Sequence, residues 1–138
     1  MAKTKILIVE DHPDCRELLA IVLGKLGYAI VKAETGLEAI EQARATNPDL
    51  ILMDFGLPDM SGDQVMMRLK ADPFTEKIPV ILTTGYMDAV VAKRAIAAGA
   101  AKILVKPFDL ERLMDAMEKC LSPESETDDH LSHWSAAV

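Results

Sequence analysis

The chain has no apolar run long enough to cross a bilayer, no excess of basic residues and only two cysteines in 138 residues. A membrane span needs about 20 consecutive, mostly apolar residues, so none is expected here. The formal net charge of −7 excludes a general binder of nucleic acid or anionic membrane, because both need a basic surface. The opening "MAKTKILIVE" lacks the charged, apolar and cleavage regions of a secretory signal. Cys15 and Cys120 fit reduced thiols in helical segments. Together these absences point to a cytoplasmic protein. The sequence also lacks an internal repeat and a second domain.

What is present is an ordinary globular composition, half hydrophobic and 27% charged. A chain of this length buries roughly two-thirds of its unfolded surface in one domain. Strand-like runs occur at 5–10, 28–33, 49–54, 79–84 and 101–106. Three are nearly continuous in Ile, Leu and Val instead of alternating, as in strands buried on both faces of a parallel sheet.

Helical patterns separate the runs. The first extends from Pro13 to about Gly27, with a buried stripe expected at Leu18, Leu19, Val22 and Leu26. The second opens on Thr35 with Glu38 three residues on, and the third on Ser61 with Gln64, both capping-box patterns. The fourth is the alanine-rich 88–98, closed by Gly99. The fifth runs from Asp109 to about Leu121 with Leu110, Leu113, Met114, Met117 and Leu121 on one face.

Five strand–helix units predict a single doubly wound α/β domain over residues 1–121. In such folds ligands bind beyond the carboxyl ends of the strands. The residues closing the strands are Glu10 and Asp11, Asp54, Thr83 and Thr84, and Lys106. Three carboxylates gathered there would repel one another. A hard cation such as Mg²⁺, commonly held by carboxylates, waters and phosphate oxygens, relieves that repulsion. A carboxylate kept ionised beside a cation and a lysine can attack phosphorus and form an aspartyl-phosphate.

Four stretches, "VEDHPDCRE", "DLILMDFGLPDMSG", "IPVILTTG" and "KILVKPFD", each close a predicted strand. In that order they resemble the response-regulator receiver domain, the phosphoacceptor module of two-component signalling, over roughly residues 4 to 121. The resemblance implies a flavodoxin-like fold with strand order 2-1-3-4-5, the order the chemotaxis receiver itself exemplifies. It implies Asp54 as the phosphorylated residue, with Asp11 binding Mg²⁺ (or Mn²⁺) directly and Glu10 binding it through water. Gly56 matches the position whose backbone carbonyl ligates the metal. Lys106, followed by Pro107, matches the lysine that meets the phosphoryl group, and Thr84 matches the switch hydroxyl, with Gly85 the small residue after it. The family often carries Tyr or Phe three residues before the lysine. Here that position is Ile103, which removes the aromatic relay, so signalling is expected to use the Thr84 loop and the fourth helix.

The resemblance implies a sensor histidine kinase or histidine phosphotransfer protein as donor and a downstream protein target, with no nucleic acid or membrane partner. The chain is expected as a monomer or weak homodimer and as a switch, not a turnover enzyme. A phosphorelay intermediate and a receiver fragment of a larger regulator or hybrid kinase remain as alternatives. A rival class is a haloacid-dehalogenase-like aspartyl-phosphate phosphatase, whose motif has a second Asp where Gly56 stands. His12, beside the acid pair, reads as a loop histidine. The segment 122–138, with "DDHLSH" and Trp134, turns polar and acidic and is expected to be a disordered tail.

Overall fold

The computed structural model describes residues 3–122. Five strands, β1 (Lys5–Val9), β2 (Ala29–Ala33), β3 (Leu50–Asp54), β4 (Val80–Thr84) and β5 (Lys102–Val105), alternate with five helices. The helices are α1 (Pro13–Lys25), α2 (Gly36–Thr46), α3 (Gly62–Lys70), α4 (Ala89–Ala98) and α5 (Leu110–Leu121). All strand pairs are parallel, in the order β2-β1-β3-β4-β5. The expected fold and strand order hold, with strand limits displaced by at most one residue. The expected tail, with "DDHLSH" and Trp134, lies outside the described residues except for Ser122.

The apolar runs explain the layering. Successive side chains on a strand point to opposite faces, so an unbroken Ile/Leu/Val run supplies both. On one face Leu7, Val9, Ile51, Met53, Val80, Leu82 and Ile103 pack against α2, α3 and α4. On the other, Ile6, Ile8, Leu50, Leu52, Ile81 and Leu104 pack against α1 and α5. Each such side chain, fully buried, contributes about 1.5–3 kcal/mol. All five residues of β3 and all five of β4 are buried, which places the hydrophobic centre directly under the ends of these two strands.

Local signals set the helix limits. Thr35 Oγ1 accepts from Glu38 N at 3.1 Å, Asp88 from Val91 N at 2.9 Å and Asp109 from Arg112 N at 2.8 Å. Gln64 Oε1 accepts from Ser61 N at 3.0 Å. Each cap satisfies a donor the helix leaves open and is worth about 1 kcal/mol. Gly99 ends α4 at φ +92°, a left-handed conformation that glycine adopts without strain.

Two faces differ from expectation. Leu18 and Leu26 are exposed, and α1 buries Leu23 with Leu19 and Ala20 beside it. On α5, Leu110 is exposed and Ala116 joins Leu113 and Met117 in the core. The cysteines are free, as expected. Cys120 is half-buried, and that burial pushes its thiol up to about 11 despite the nearby charge of Lys102.

The turn after β3 has no slack. Gly62 N donates to Phe55 O at 2.6 Å. A Cβ at Gly62 would lie 2.9 Å from Phe55 Cα and 3.0 Å from Asp54 O, both backbone atoms that cannot rotate away. Gly62→Ala is therefore expected to destabilise the fold by about 1–3 kcal/mol, as overpacking generally does. A urea melt with an unchanged midpoint would contradict this close approach.

Candidate functional site

Strand alternation brings the expected site residues to one place. Glu10 continues the series Ile6, Ile8; Asp54 continues Leu50, Leu52; Lys106 follows Leu104, all on the α1/α5 face. The ladder extends past the strand ends to hold them, through Glu10 N to Ala33 O (3.1 Å) and Lys106 N to Thr84 O (2.7 Å). The Lys106–Pro107 peptide is cis.

Lys106 Nζ donates to Glu10 Oε1 at 2.6 Å and to Asp54 Oδ2 at 3.1 Å. It thus joins residues 96 and 52 positions apart in the chain. Glu10 and Asp54 are buried, so removing their hydration is offset by this charge-assisted bonding. Burial of the Lys106 ammonium lowers its pKa, but the Glu10 hydrogen bond and the charges of Asp54 and Glu10 outweigh it. The group titrates above the ordinary lysine value. The other Asp54 oxygen, Oδ1, accepts from Gly56 N at 3.1 Å, and Glu10 Oε2 accepts from His12 N at 3.2 Å.

Glu10, Asp11 and His12 place ligand atoms within 4.8 Å of one another. Asp54 joins this group through Lys106. Asp11 Oδ1 is buried without a hydrogen-bond partner. Buried polar atoms are nearly always satisfied, so an orphaned carboxylate oxygen among other oxygen ligands fits a hard divalent cation. The residues present therefore suit Mg²⁺ or Mn²⁺. His12, read from sequence as a loop residue, does lie in the loop before α1 with its ring exposed, and it also reaches the edge of the acid pair.

The hydroxyl positions divide. Thr83 pairs with Asp54 across the β3–β4 ladder and shares its face, whereas Thr84 follows Val80 and Leu82 on the opposite one. Thr84 Oγ1 donates to Tyr86 O at 2.8 Å and accepts from Tyr86 N at 3.1 Å. The expected switch hydroxyl is thus engaged in its own loop and not bonded to Asp54. Gly85 follows it, exposed. Ile103 is buried in the core shared with α2, α3 and α4, so the aromatic relay is absent in space as well as in sequence.

Several residues around the site escaped the sequence reading. Arg16 Nη1 donates to Glu10 O at 3.0 Å and pairs with Glu34 at 3.3 Å. Asp59 accepts from Gly36 N (2.7 Å) and Leu37 N (3.0 Å), tying the turn after β3 to the start of α2. The slight burial of Asp59 opposes ionisation, but these backbone bonds outweigh it and hold its carboxyl below the usual range. Arg94 of α4 grips Asp63 at 2.8 and 3.0 Å. Asp63 is buried; that disfavours its charge, but bonds with Ser61 and Arg94, and the Arg94 charge, lower its pKa overall. Charged residues on helices ordinarily read as solvated, and only contact in space marks these as partners.

A doubly wound domain with an acidic cluster and a lysine at the carboxyl ends of β1, β3 and β5 defines the class. The family model described as response regulator receiver domain matches residues 6–118, and the chain belongs to that family, one of two-component signalling. It is 36% identical over 125 residues to sporulation initiation phosphotransferase F of Bacillus subtilis, covering 91% of this chain and 99% of that one. It is 34% identical over 119 residues to the chemotaxis protein CheY of the same organism, covering 86% and 98%. Among solved structures it resembles the signal receiver domain of a histidine kinase from Syntrophus aciditrophicus, with TM-score 0.81 and 35% identity. That likeness covers 92% of this chain and 96% of that one. Among the described residues no helix is long and apolar enough to cross a membrane.

Proposed function

We propose that the protein is a phosphoacceptor switch that takes a phosphoryl group onto Asp54 from a phosphohistidine of a sensor histidine kinase or histidine phosphotransfer protein. The observation that carries this reading is Lys106 Nζ bridging Asp54 and Glu10 beside the orphaned oxygen of Asp11. Asp54 Oδ1 accepts from Gly56 N and Oδ2 from Lys106; Oδ2, beside the ammonium that meets the phosphoryl group, is the oxygen that attacks phosphorus. The P–N bond to imidazole breaks as the P–O bond to Asp54 forms, and the electron pair leaves with the imidazole. Lys106, already at Oδ2, offers its ammonium to the phosphoryl oxygens as charge shifts onto them. Asp11 and Asp54, Glu10 through water and the Gly56 carbonyl would hold a divalent cation, which when bound supplies further charge neutralisation.

Thr84 reaches the phosphoryl group by exchanging its Tyr86 bonds for a phosphoryl oxygen. That exchange moves the segment leading into α4, and a downstream protein recognises the altered surface, in which Gly85 and Pro107 take part. Differential binding to one conformation then shifts the population. The domain assists its own phosphorylation and slow hydrolysis, yet acts as a switch. A role as phosphorelay intermediate is a second reading, favoured by the full-length similarity to a phosphotransferase.

Intact mass after incubation with acetyl phosphate tests the proposal. One phosphoryl group per chain is expected with Mg²⁺ and none when the metal is chelated. Steady turnover of a small phosphate ester without stoichiometric labelling would favour the phosphatase class instead.

A further inference from the structure

We infer that Arg94 latches α4 to the acceptor loop, and that this latch opposes phosphoryl occupancy of Asp54; the inference rests on the acceptor role proposed above. Arg94 Nε and Nη2 bond Asp63 Oδ2 and Oδ1 at 2.8 and 3.0 Å, and Nη2 also bonds Ser61 Oγ at 3.1 Å. The guanidinium carbon lies 5.1 Å from the ring centroid of Phe55, the residue after the acceptor. One side chain of α4 thus touches both ends of the 55–63 turn. A forked guanidinium holds a carboxylate in a fixed geometry that a lysine could not reproduce.

The rest of α4 is weakly anchored. Ala95 is its sole fully buried residue, while Val90 and Ile96 are exposed. Apart from Ala95 and the partly buried Ala98, little apolar area ties the helix to the core, and the bidentate pair of half-exposed Arg94 with buried Asp63 adds a polar restraint. The turn on the other side is itself closed by the hydrogen bond from Gly62 N to Phe55 O at 2.6 Å.

The sign of the coupling follows from the second restraint. Thr84 holds the segment entering α4 through both polar groups of Tyr86. A phosphoryl group that recruits the Thr84 hydroxyl breaks both Tyr86 bonds and displaces the segment entering α4, while the Arg94 fork fixes the helix in the position set with those bonds in place. The two demands conflict, so the latch favours the unphosphorylated arrangement. By reciprocity, anything that opens the latch raises affinity at Asp54.

The test uses beryllofluoride with Mg²⁺ as a phosphoryl analogue, titrated into wild type, Arg94→Met, Asp63→Asn and the double variant, with amide chemical shifts of 89–98 followed by NMR. Both single variants are expected to bind about fivefold tighter or more, the low end of ordinary site-to-site coupling. Their free-state α4 shifts should move toward the wild-type bound positions. The double variant should gain no more than either single one, because each removes the same contact. A merely structural pair would lower thermal stability in the variants and leave beryllofluoride affinity unchanged or weaker, which overturns the latch. If one variant fails to fold, the other decides. Absence of binding to wild type would instead remove the acceptor reading on which the latch depends.

Discussion

Asp54→Asn is expected to take up no phosphoryl group from acetyl phosphate with Mg²⁺, a loss of at least about 10²-fold in labelling rate relative to the wild type, by the measure of removing a central catalytic group. The reason is chemical more than structural. The amide keeps the size of the carboxylate and an oxygen able to accept from Gly56 N, where the wild-type contact is 3.1 Å. Lys106 retains its shorter contact to Glu10 at 2.6 Å. What disappears is the anionic oxygen proposed to attack phosphorus. The variant should therefore keep its circular dichroism spectrum while intact mass shows no adduct. Labelling that persisted would mean that another carboxylate, Glu10 or Asp11, is the acceptor.

Lys106→Met is expected to have the second large effect, on stability as well as on labelling. Glu10 is buried and Lys106 is its close cationic partner, so the substitution leaves carboxylates crowded without compensation. Removing one member of a buried pair generally costs about 3–5 kcal/mol. The Lys106 side chain keeps 26% of its exposure, which places the expected loss near the bottom of that range, about 3 kcal/mol. Mg²⁺ should recover part of it, because the cation replaces charge that the lysine supplied, and a denaturant melt with and without the metal reads both effects.

The same lysine has a pH signature. Its folded pKa lies above the ordinary 10.5, so the folded state holds this proton more tightly than the unfolded chain. The resulting stabilisation is fully present below the unfolded lysine value and is lost as pH rises through the folded one. Wild type should accordingly lose stability in the alkaline region above that ordinary value, and Lys106→Met should lack this component. Parallel alkaline melts of the two proteins would sink the argument.

The elements and their order were readable because parallel sheets buried on both faces need unbroken apolar strands, which "KILIV", "LILMD" and "VILTT" supply. Turn chemistry then marked the helix limits. The gathering of Asp54, the acid pair and Lys106 at the strand ends was readable for a related reason. A charged residue that closes a buried run has only the sheet's rim to occupy, and all such rims face the same way in a parallel sheet.

Other features were closed to a one-dimensional reading. Six consecutive apolar residues, Leu18 to Leu23, present a hydrophobic stripe in any direction. The buried face of α1 was therefore decided by how Leu19, Ala20 and Leu23 meet the sheet, leaving Leu18 outside. Arg94 and Asp63 lie 31 positions apart, with nothing local to distinguish them from solvated charges.

Hydrophobic periodicity and turn residues are local properties, so the sequence by itself determined the strands, the helices and the set of polar groups at the strand ends. Pairing among distant side chains is a property of three dimensions. The tertiary structure alone decided that Lys106 bridges Glu10 and Asp54 and that Arg94 ties α4 to the turn beyond Asp54. Each depends on a distance that no spacing along the chain encodes.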